Sequence, residues 1–270
     1  MINSNHFKNP SAKRTFEDSK DIVEKKLKIP PDYQFKAINS KNFLQANWHK
    51  NKLLMLTQLV RLNKKMFVLD LGTGSGNFEM AFSKKVKKIF GVDYNDQALI
   101  FLQNYILENN LGNITLIQSD IRRLYKIKNL PKFDLIVLID VIEHLKIKDV
   151  RKLVRDMKNL LRINGKVLII TPNYGGLWII IEYLLDLTGL VPKFRGKQHL
   201  TQINKSKLLS VFKTYGFSPR KFFTFNLFSF IFPVRKLSRF FCIVESKIPF
   251  PIGNLIAATF TKTIRGKVRL

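Results

Sequence analysis

The stretch that decides the fold is Val68-Leu69-Asp70-Leu71-Gly72-Thr73-Gly74-Ser75-Gly76. Its apolar beginning predicts a buried strand, and its three alternating glycines predict a tight loop whose backbone a ligand can approach closely. Residues 77–85 then have the pattern of a helix, whose first N–H groups lack partners within the helix and point back at such a ligand. We therefore expect a nucleotide-like cofactor at this loop. The expected binding residues are Asp70, Gly72, Thr73, Gly74 and Gly76.

The spacing of the glycines distinguishes between cofactor classes. Loops that bind dinucleotides follow the pattern Gly-x-Gly-x-x-Gly, in which the third glycine lets the helix pack closely on the strand. Here Asn77 holds that third position, and Asp70 lies two residues before the first glycine, which is foreign to the dinucleotide pattern. The stretch instead resembles the first motif of class I methyltransferases that use S-adenosylmethionine (SAM).

Strands and helices alternate along the chain that follows. The second predicted strand, Lys88–Asp93, ends in a carboxylate 17 residues after Gly76, and such a carboxylate can accept hydrogen bonds from both ribose hydroxyls. Asn95 then caps a helix that ends near Gly112. This alternation predicts an α/β fold with a doubly wound, mostly parallel sheet. The other predicted strands are residues 114–117, 133–139, 166–171, 220–225 and 254–262.

The residues after the fourth predicted strand narrow the resemblance. The run Asp140-Val141-Ile142-Glu143-His144-Leu145 looks like the branch that contains the O-methyltransferases of ubiquinone biosynthesis, and the resemblance spans roughly residues 44–262. It implies the seven-stranded class I methyltransferase fold, with SAM as the cofactor. It also implies that Asp120, at the end of the third strand, meets the adenine amino group. Tyr94, Ile121 and Asp140, at the same strand ends, are further expected cofactor-binding residues.

Methyl transfer from such a donor needs mainly positioning. The sulfonium of SAM carries an activated methyl group, so the protein must hold an acceptor atom in line with it. A hydroxyl acceptor gains from a general base, for which histidine is suited. The candidate catalytic residues are His199 and His144. The candidate substrate or lid residues are Trp48, His49, Glu143, Tyr174 and Trp178. We expect no metal ion, since Glu143 and His144 alone supply too few ligands.

Length and composition bound the domain organisation. A chain of 270 residues suffices for one domain with a large core, which we place at residues 36–264, between a poorly ordered polar tail at 1–35 and a basic tail at 265–270. The single cysteine, Cys242, excludes a disulfide framework and a cysteine-rich metal site. Because residues 1–31 contain no apolar run, no secretory signal is apparent, and we expect a cytoplasmic protein. Its oligomeric state is not predicted.

The basic, phenylalanine-rich end of the chain indicates a polyanionic or apolar partner. The net charge is +28, and residues 191–270 carry sixteen basic side chains against one acidic side chain, so the surface attracts anionic lipid or nucleic acid. Ten phenylalanines lie between Phe217 and Phe250, in runs too short to span a membrane but typical of a segment lying at its surface. Alternatively, residues 220–225 alternate into the core as a strand. We expect lid, substrate or membrane-interface elements at residues 177–200 and 226–250.

These observations favour a SAM-dependent O-methyltransferase that acts on a hydrophobic acceptor at a membrane surface. RNA methylation is the main alternative, because aromatic side chains beside lysines can stack bases. Two RNA chemistries are disfavoured: the fourth strand is not followed by the Asn/Asp-Pro-Pro-aromatic sequence of amino methylation, and Cys242 lacks the preceding proline typical of cytosine methylation. A SAM-fold module without catalytic activity is a third reading.

Overall fold

The computed structural model describes residues 30–188 and 198–262, and a seven-stranded sheet lies at its centre. The strand order is β3-β2-β1-β4-β5-β7-β6, with β7 antiparallel to both of its neighbours and the remaining pairs parallel. The predicted doubly wound, mostly parallel sheet is therefore confirmed. The strands are β1 (Phe67–Leu71), β2 (Lys88–Asp93), β3 (Ile114–Gln118), β4 (Phe133–Ile139), β5 (Leu161–Pro172), β6 (Phe217–Phe225) and β7 (Leu255–Lys262).

Helices cover both faces of the sheet. Because side chains alternate along a strand, Val68 packs on one face with α2 and α8, whereas Leu69 packs on the other with α5 and α7. Both faces of the parallel strands are thus buried, which explains their continuous apolar sequence. The helices are α1 (Tyr33–Ile38), α2 (Phe43–Leu59), α3 (Asn77–Phe82), α4 (Asp96–Glu108), α5 (Ile147–Leu160), α6 (Trp178–Thr188), α7 (Lys205–Thr214) and α8 (Arg235–Glu245).

Some predicted element boundaries are wrong. Strand β6 begins at Phe217 rather than at residue 220, and two further boundaries differ for local reasons. The helix that Asn95 caps ends at Glu108 rather than near Gly112, because Asn110 takes the left-handed conformation (φ +52°) that glycine was expected to supply. Strand β5 begins at Leu161 rather than Lys166, since the left-handed Asn164 and a register shift on β4 let residue 161 pair with Phe133.

The predicted boundary of the polar tail, residue 35, is wrong because a helix begins before it. Helix α1 includes residues 33–35, and the Phe35 ring lies 5.4 Å from the Phe101 ring and 6.2 Å from the Tyr105 ring. This aromatic contact against α4 orders the segment, so the domain begins earlier than the predicted residue 36. Residues 1–29, 189–197 and 263–270, which include the rest of that tail, part of the predicted 177–200 element and the basic tail, lie outside the described residues.

The phenylalanine-rich segment divides between core and surface. Phe222, Phe223 and Phe225 belong to β6, and Phe225 is fully buried, which confirms the alternative that part of the segment is a core strand. The remainder forms a short 3₁₀ turn, Ser229–Ile231, and helix α8. Among the described residues, the helices are all too short or too polar to cross a membrane.

Candidate functional site

The glycine-rich loop lies at the carboxyl end of β1, as predicted. Gly72, Gly74 and Gly76 all have positive φ angles, between +52° and +86°. A Cβ atom on Gly72 would lie 2.5 Å from Cγ2 of Val141, so a larger residue there would both strain the backbone and push against the loop after β4. The loop is therefore bare main chain packed between two strand ends.

Helix α1 covers this loop. The Phe35 N–H donates to Oγ of Ser75 at 3.0 Å, and Nδ2 of Asn77 donates to the Gln34 carbonyl at 2.9 Å. The sequence signal for this element is Pro31-Asp32, a helix-start pair that lies within the predicted tail. A pocket lies beneath α1, where the cofactor is expected, and we call it the cofactor pocket. It is lined by Gln34, His49, Lys52, Leu53, Asp70, Gly72, Thr73, Asn77, Phe78, Ile139 and Asp140.

Two further predicted cofactor-binding acids lie at strand ends along the same edge. Oδ2 of Asp93 accepts from the Gly74 N–H at 2.8 Å, and its Oδ1 accepts from the Asn95 N–H at 2.9 Å. Burial raises the pKa of Asp93, although these backbone donors oppose the shift. Asp120 forms an ion pair with Arg122, Nη2 to Oδ2 2.7 Å, a partner that sequence reasoning missed. Tyr94 and Ile121, which follow these acids, are half-buried.

A pair of buried acids supports the loop from below. The Thr73 hydroxyl lies 2.6 Å from Oε1 of Glu79 and 3.0 Å from Oδ2 of Asp70. A single hydroxyl proton serves only one of these contacts, so the other requires a protonated acid. Burial, and secondarily Glu79, raises the pKa of Asp70 well above its usual value, and burial raises the pKa of Glu79 to about 7. Sequence reasoning missed Glu79, which sits between the core residues of α3.

Helix α2 contributes a cation to the cofactor pocket. The buried Lys52 ammonium pairs with the carboxylate of Asp140, whose backbone is left-handed (φ +55°). Burial raises the pKa of Asp140, but the Lys52 charge, the Lys52 hydrogen bond and the two nearby histidines together hold the pKa below its usual value. Burial, then Lys52, lowers the pKa of His49 to about 3, so this histidine is neutral. Lys52 follows His49 by three residues and Trp48 by four, so it lies on the same face of the helix, and this spacing could have identified it as a candidate site residue.

His199 belongs to a second cluster, beside the cofactor pocket. Its Nδ1 lies 2.9 Å from Oε1 of Glu182 and 2.6 Å from the Tyr174 hydroxyl, which itself donates to Glu182 at 2.6 Å. Burial, then Glu182, raises the pKa of Tyr174, which stays protonated. The geometry assigns the His199 proton to Nδ1, facing Glu182. Glu182 is almost fully buried although it lies on the largely apolar helix α6.

His144 and Glu143 complete this second cluster. The His144 ring lies 5.1 Å from the His199 ring, its Nδ1 lies 3.0 Å from the Gln198 carbonyl, and burial lowers its pKa. Glu143 accepts from the Thr171 hydroxyl at 2.9 Å, and its pKa is raised to about 7 by burial and by Asp140. Its Oε1 is buried and finds no hydrogen-bond partner in the described part of the chain.

A metal ion is a chemical option for these side chains. Ligand atoms of Glu143, His144 and His199 all lie within 4.8 Å of one another. No metal ion was expected from the sequence, where Glu143 and His144 offer only two adjacent candidate ligands. The third donor comes from a segment 55 residues further along the chain, which sequence spacing alone does not reveal.

The predicted lid residues divide between the two clusters. The Trp178 ring lies 5.5 Å from Trp48 and 6.1 Å from His199, so these aromatic rings wall the histidine cluster. Tyr174 and Glu143 lie there as well. His49 instead lines the cofactor pocket with Lys52. The structure therefore brings four of the five predicted lid residues to His199 and His144, and one to the glycine loop.

The sequence of the chain is similar to those of known methyltransferases. Residues 42–221 match a family model described as a methyltransferase domain. Over 122 residues, 43% of this chain, it is 34% identical to ribosomal protein L11 methyltransferase of Lactobacillus johnsonii, covering 35% of that protein. Over 166 residues, 58% of this chain, it is 29% identical to the ubiquinone biosynthesis O-methyltransferase of Glaesserella parasuis serovar 5, covering 66% of that protein.

A solved structure shares the fold: that of magnesium protoporphyrin IX methyltransferase of Synechocystis PCC 6803 with bound S-adenosylhomocysteine (SAH). The TM-score is 0.60 at 14% identity, and the alignment covers 93% of this chain and all of the other. This likeness establishes the common fold.

Replacing Glu79 by Gln should flatten the dependence of stability on pH. The stabilisation from protonated Glu79 is fully present below pH 4.5, its ordinary pKa, and is lost as the pH rises through about 7. Urea unfolding of the wild type at pH 5 and pH 8 should therefore differ more than that of Glu79→Gln, by on the order of 2 kcal/mol. The exposed Glu108→Gln is the control, and equal differences in Glu79→Gln and wild type would contradict the shared proton.

Proposed function

Because the chain belongs to the family of methyltransferase domains, we propose that it methylates an oxygen atom of a hydrophobic small molecule at a membrane surface. SAM is the methyl donor, and when bound it supplies an already activated methyl group. The cluster of His199, Tyr174 and Glu182 beside the glycine loop carries the proposal. It offers an oriented histidine next to the strand ends at which cofactors bind in this class of fold.

The chain's own residues fit the cofactor. The bare loop after β1 gives close access to the main chain, and Asp93 presents a carboxylate that two backbone amides hold in place. Oδ1 of Asp140 is buried and lacks a hydrogen-bond partner within the described residues. It therefore offers a further acceptor to the hydroxyl or ammonium groups of SAM. We assign Asp120, with Arg122 as its partner, to the adenine side of the site.

We propose His199 as the general base. With its Nδ1 proton held by Glu182, the imidazole presents Nε2 for the proton of an acceptor hydroxyl. Tyr174 keeps the ring oriented through its contact with Nδ1. His144, which burial keeps neutral, is the second candidate base.

The walls of the second cluster favour an apolar or aromatic acceptor. Trp48 and Trp178 face it, and Phe230 packs on the far side of Trp48, with ring centroids 5.0 Å apart. Aromatic walls with a few polar groups are typical of sites for small molecules. The match to a protein named as an O-methyltransferase of ubiquinone biosynthesis supports oxygen as the methylated atom. The proposal places the protein in the cytoplasm, at the membrane face.

The alternative of an RNA acceptor has less support from the geometry. A groove lined by Lys64, Lys84 and Lys87 lies beside Gly112 and Asn113, at the amino ends of β2 and β3. The glycine loop and the histidine cluster lie at the carboxyl ends of the strands, the opposite edge. Nucleotides bound in the lysine groove would therefore lie at the edge of the sheet away from the glycine loop, so this groove does not support an RNA acceptor.

SAM with a labelled methyl group tests the proposed acceptor class. The full-length protein is incubated with extract of its source organism, and lipid, small polar molecules, RNA and protein are separated. We expect label in the organic phase. Label in RNA would identify a nucleic-acid acceptor, and label in no fraction, with SAM bound, would favour the module without catalytic activity.

Replacing His199 by Ala should lower turnover by about 100-fold or more, the usual contribution of a general base. SAM affinity should stay unchanged, since His199 lies outside the cofactor pocket. Turnover is measured on the acceptor identified by labelling, and SAM affinity by calorimetry. Tyr125→Phe, at an exposed position after β3, is the control. Unchanged turnover in His199→Ala would remove this residue from the mechanism.

A further inference from the structure

Helix α8 is amphipathic with its polar side buried. Its buried stripe contains Ser238, Cys242 and Glu245, with Arg235 half-buried on the same side. Spaced by three and four residues, these positions form one face of a helix. A surface helix ordinarily buries its apolar stripe and exposes the polar one. Here the sides are exchanged. The outward stripe contains Leu237, Phe240 and Val244, and the half-buried Phe241 lies beside it.

Hydrogen bonds hold the helix in this orientation. The buried Glu245 carboxylate accepts from three backbone N–H groups, those of residues 227, 228 and 229, and from the Ser229 hydroxyl, at 2.7–3.1 Å. The Arg235 guanidinium donates to Oδ1 of Asn51 at 2.5 Å. Rotating the helix to bury its apolar side would break these bonds and leave buried polar groups unpaired. The exposed apolar stripe is therefore a built feature of the fold.

The same network joins α8 to the helix that lines both clusters. Asn51, which receives the Arg235 bond, directly precedes Lys52 of the cofactor pocket on α2. Nδ2 of Asn51 also donates to Oδ1 of Asn226 at 2.8 Å. A ligand that binds the outer side of α8 would thus be held at a fixed position relative to the site.

Helix α6 repeats the exchange. Its buried side carries Glu182, hydrogen-bonded to Tyr174 and His199, together with Trp178. Its exposed large side chains are Ile179, Ile180, Tyr183, Leu184 and Leu187. Trp48 of α2 contacts both Trp178 and Phe230, so α6 and the turn before α8 lie on the same side of the domain.

Apolar and basic side chains are mixed on this side. Leu237, Phe240 and Val244 are 46%, 59% and 43% exposed and follow one stripe of the helix, so they form a contiguous apolar patch rather than scattered single residues. Lys236 and Arg239, on the same helix, are exposed as well. Further exposed apolar residues on the adjoining segments are Phe228, Ile231, Val234, Phe250 and Ile252.

We propose that the outer sides of α8 and α6, with the adjoining residues 228–234 and 250–252, bind the surface of an anionic lipid bilayer. The inference deepens the proposed function, on which its biological sense rests, by naming the surface involved. Phenylalanine and leucine enter the interface between headgroups and acyl chains, while Lys236 and Arg239 meet the lipid phosphates. A protein partner would not explain the flanking cations and the net charge of +28 equally well. The histidine cluster lies on the inner side of α6, one helix away from the bilayer in which the acceptor dissolves.

Vesicle flotation tests the surface. The full-length protein is mixed with vesicles of equimolar phosphatidylglycerol and phosphatidylcholine, and with vesicles of phosphatidylcholine alone. We expect binding to the anionic vesicles that weakens as salt is raised. The double variant Leu237→Ser/Phe240→Ser should lower the partition coefficient by about 10-fold or more. Leu107→Ser, at a 65% exposed position on α4, is the control for loss of an exposed apolar side chain and should bind like the wild type.

A second readout separates lipid contact from a folding defect. Phe240→Trp and Leu107→Trp are compared for fluorescence quenching by brominated lipids, with the wild type subtracted for Trp48 and Trp178. Quenching at residue 240 but not at residue 107 supports the proposal. No quenching at residue 240, or a dimer in light scattering that the double variant abolishes, would overturn it. SAM binding is measured on the same samples: SAM binding without vesicle binding refutes this surface alone, whereas vesicle binding without SAM binding refutes the proposed function.

Discussion

The parallel pairing of β1 with β2 and β4 is the constraint on which the site depends. It brings the glycine loop, Asp93 and Asp140 to one edge, because the carboxyl ends of parallel strands lie side by side. Asp93 then holds the Gly74 N–H directly, and the loop after β4 packs on Gly72 through Val141. Each of these loops contributes only part of the candidate site, and the parts meet because the strand ends are adjacent.

Buried charge is managed differently in the two clusters. Under the glycine loop, Asp70 and Glu79 share a proton through Thr73, whereas Asp140 is balanced by the Lys52 ammonium. In the histidine cluster, the buried Glu182 carboxylate accepts hydrogen bonds from Tyr174 and His199, which lower the cost of burying it. The pocket at the glycine loop thus contains an ion pair and a pair of acids linked through Thr73, whereas the second cluster contains oriented rings.

The sequence predicted the strands and the acids at their ends well, because both follow local rules. Apolar runs predict buried strands, and Asn95 accepts from the Ala98 N–H as a helix cap should. Side chains brought in from distant segments were harder to find. Lys52 and Glu79 have the sequence pattern of ordinary helix residues, and only the fold brings Lys52 to Asp140 and Glu79 to Thr73. Glu182 likewise contacts His199 only because α6 packs against it. The sequence shows that the segment of α8 is rich in phenylalanine and basic residues, but not which side of the helix faces outward. That orientation depends on hydrogen bonds of Glu245 and Arg235 with other segments.

A structure of the protein with S-adenosylhomocysteine bound tests the central claim most directly, that the strand-end acids hold the donor beside the histidine cluster. The account predicts that both ribose hydroxyls bind the Asp93 carboxylate and that the sulfur faces the space between Trp48, His144 and His199. A ribose bound elsewhere, or a sulfur directed away from these histidines, would contradict it.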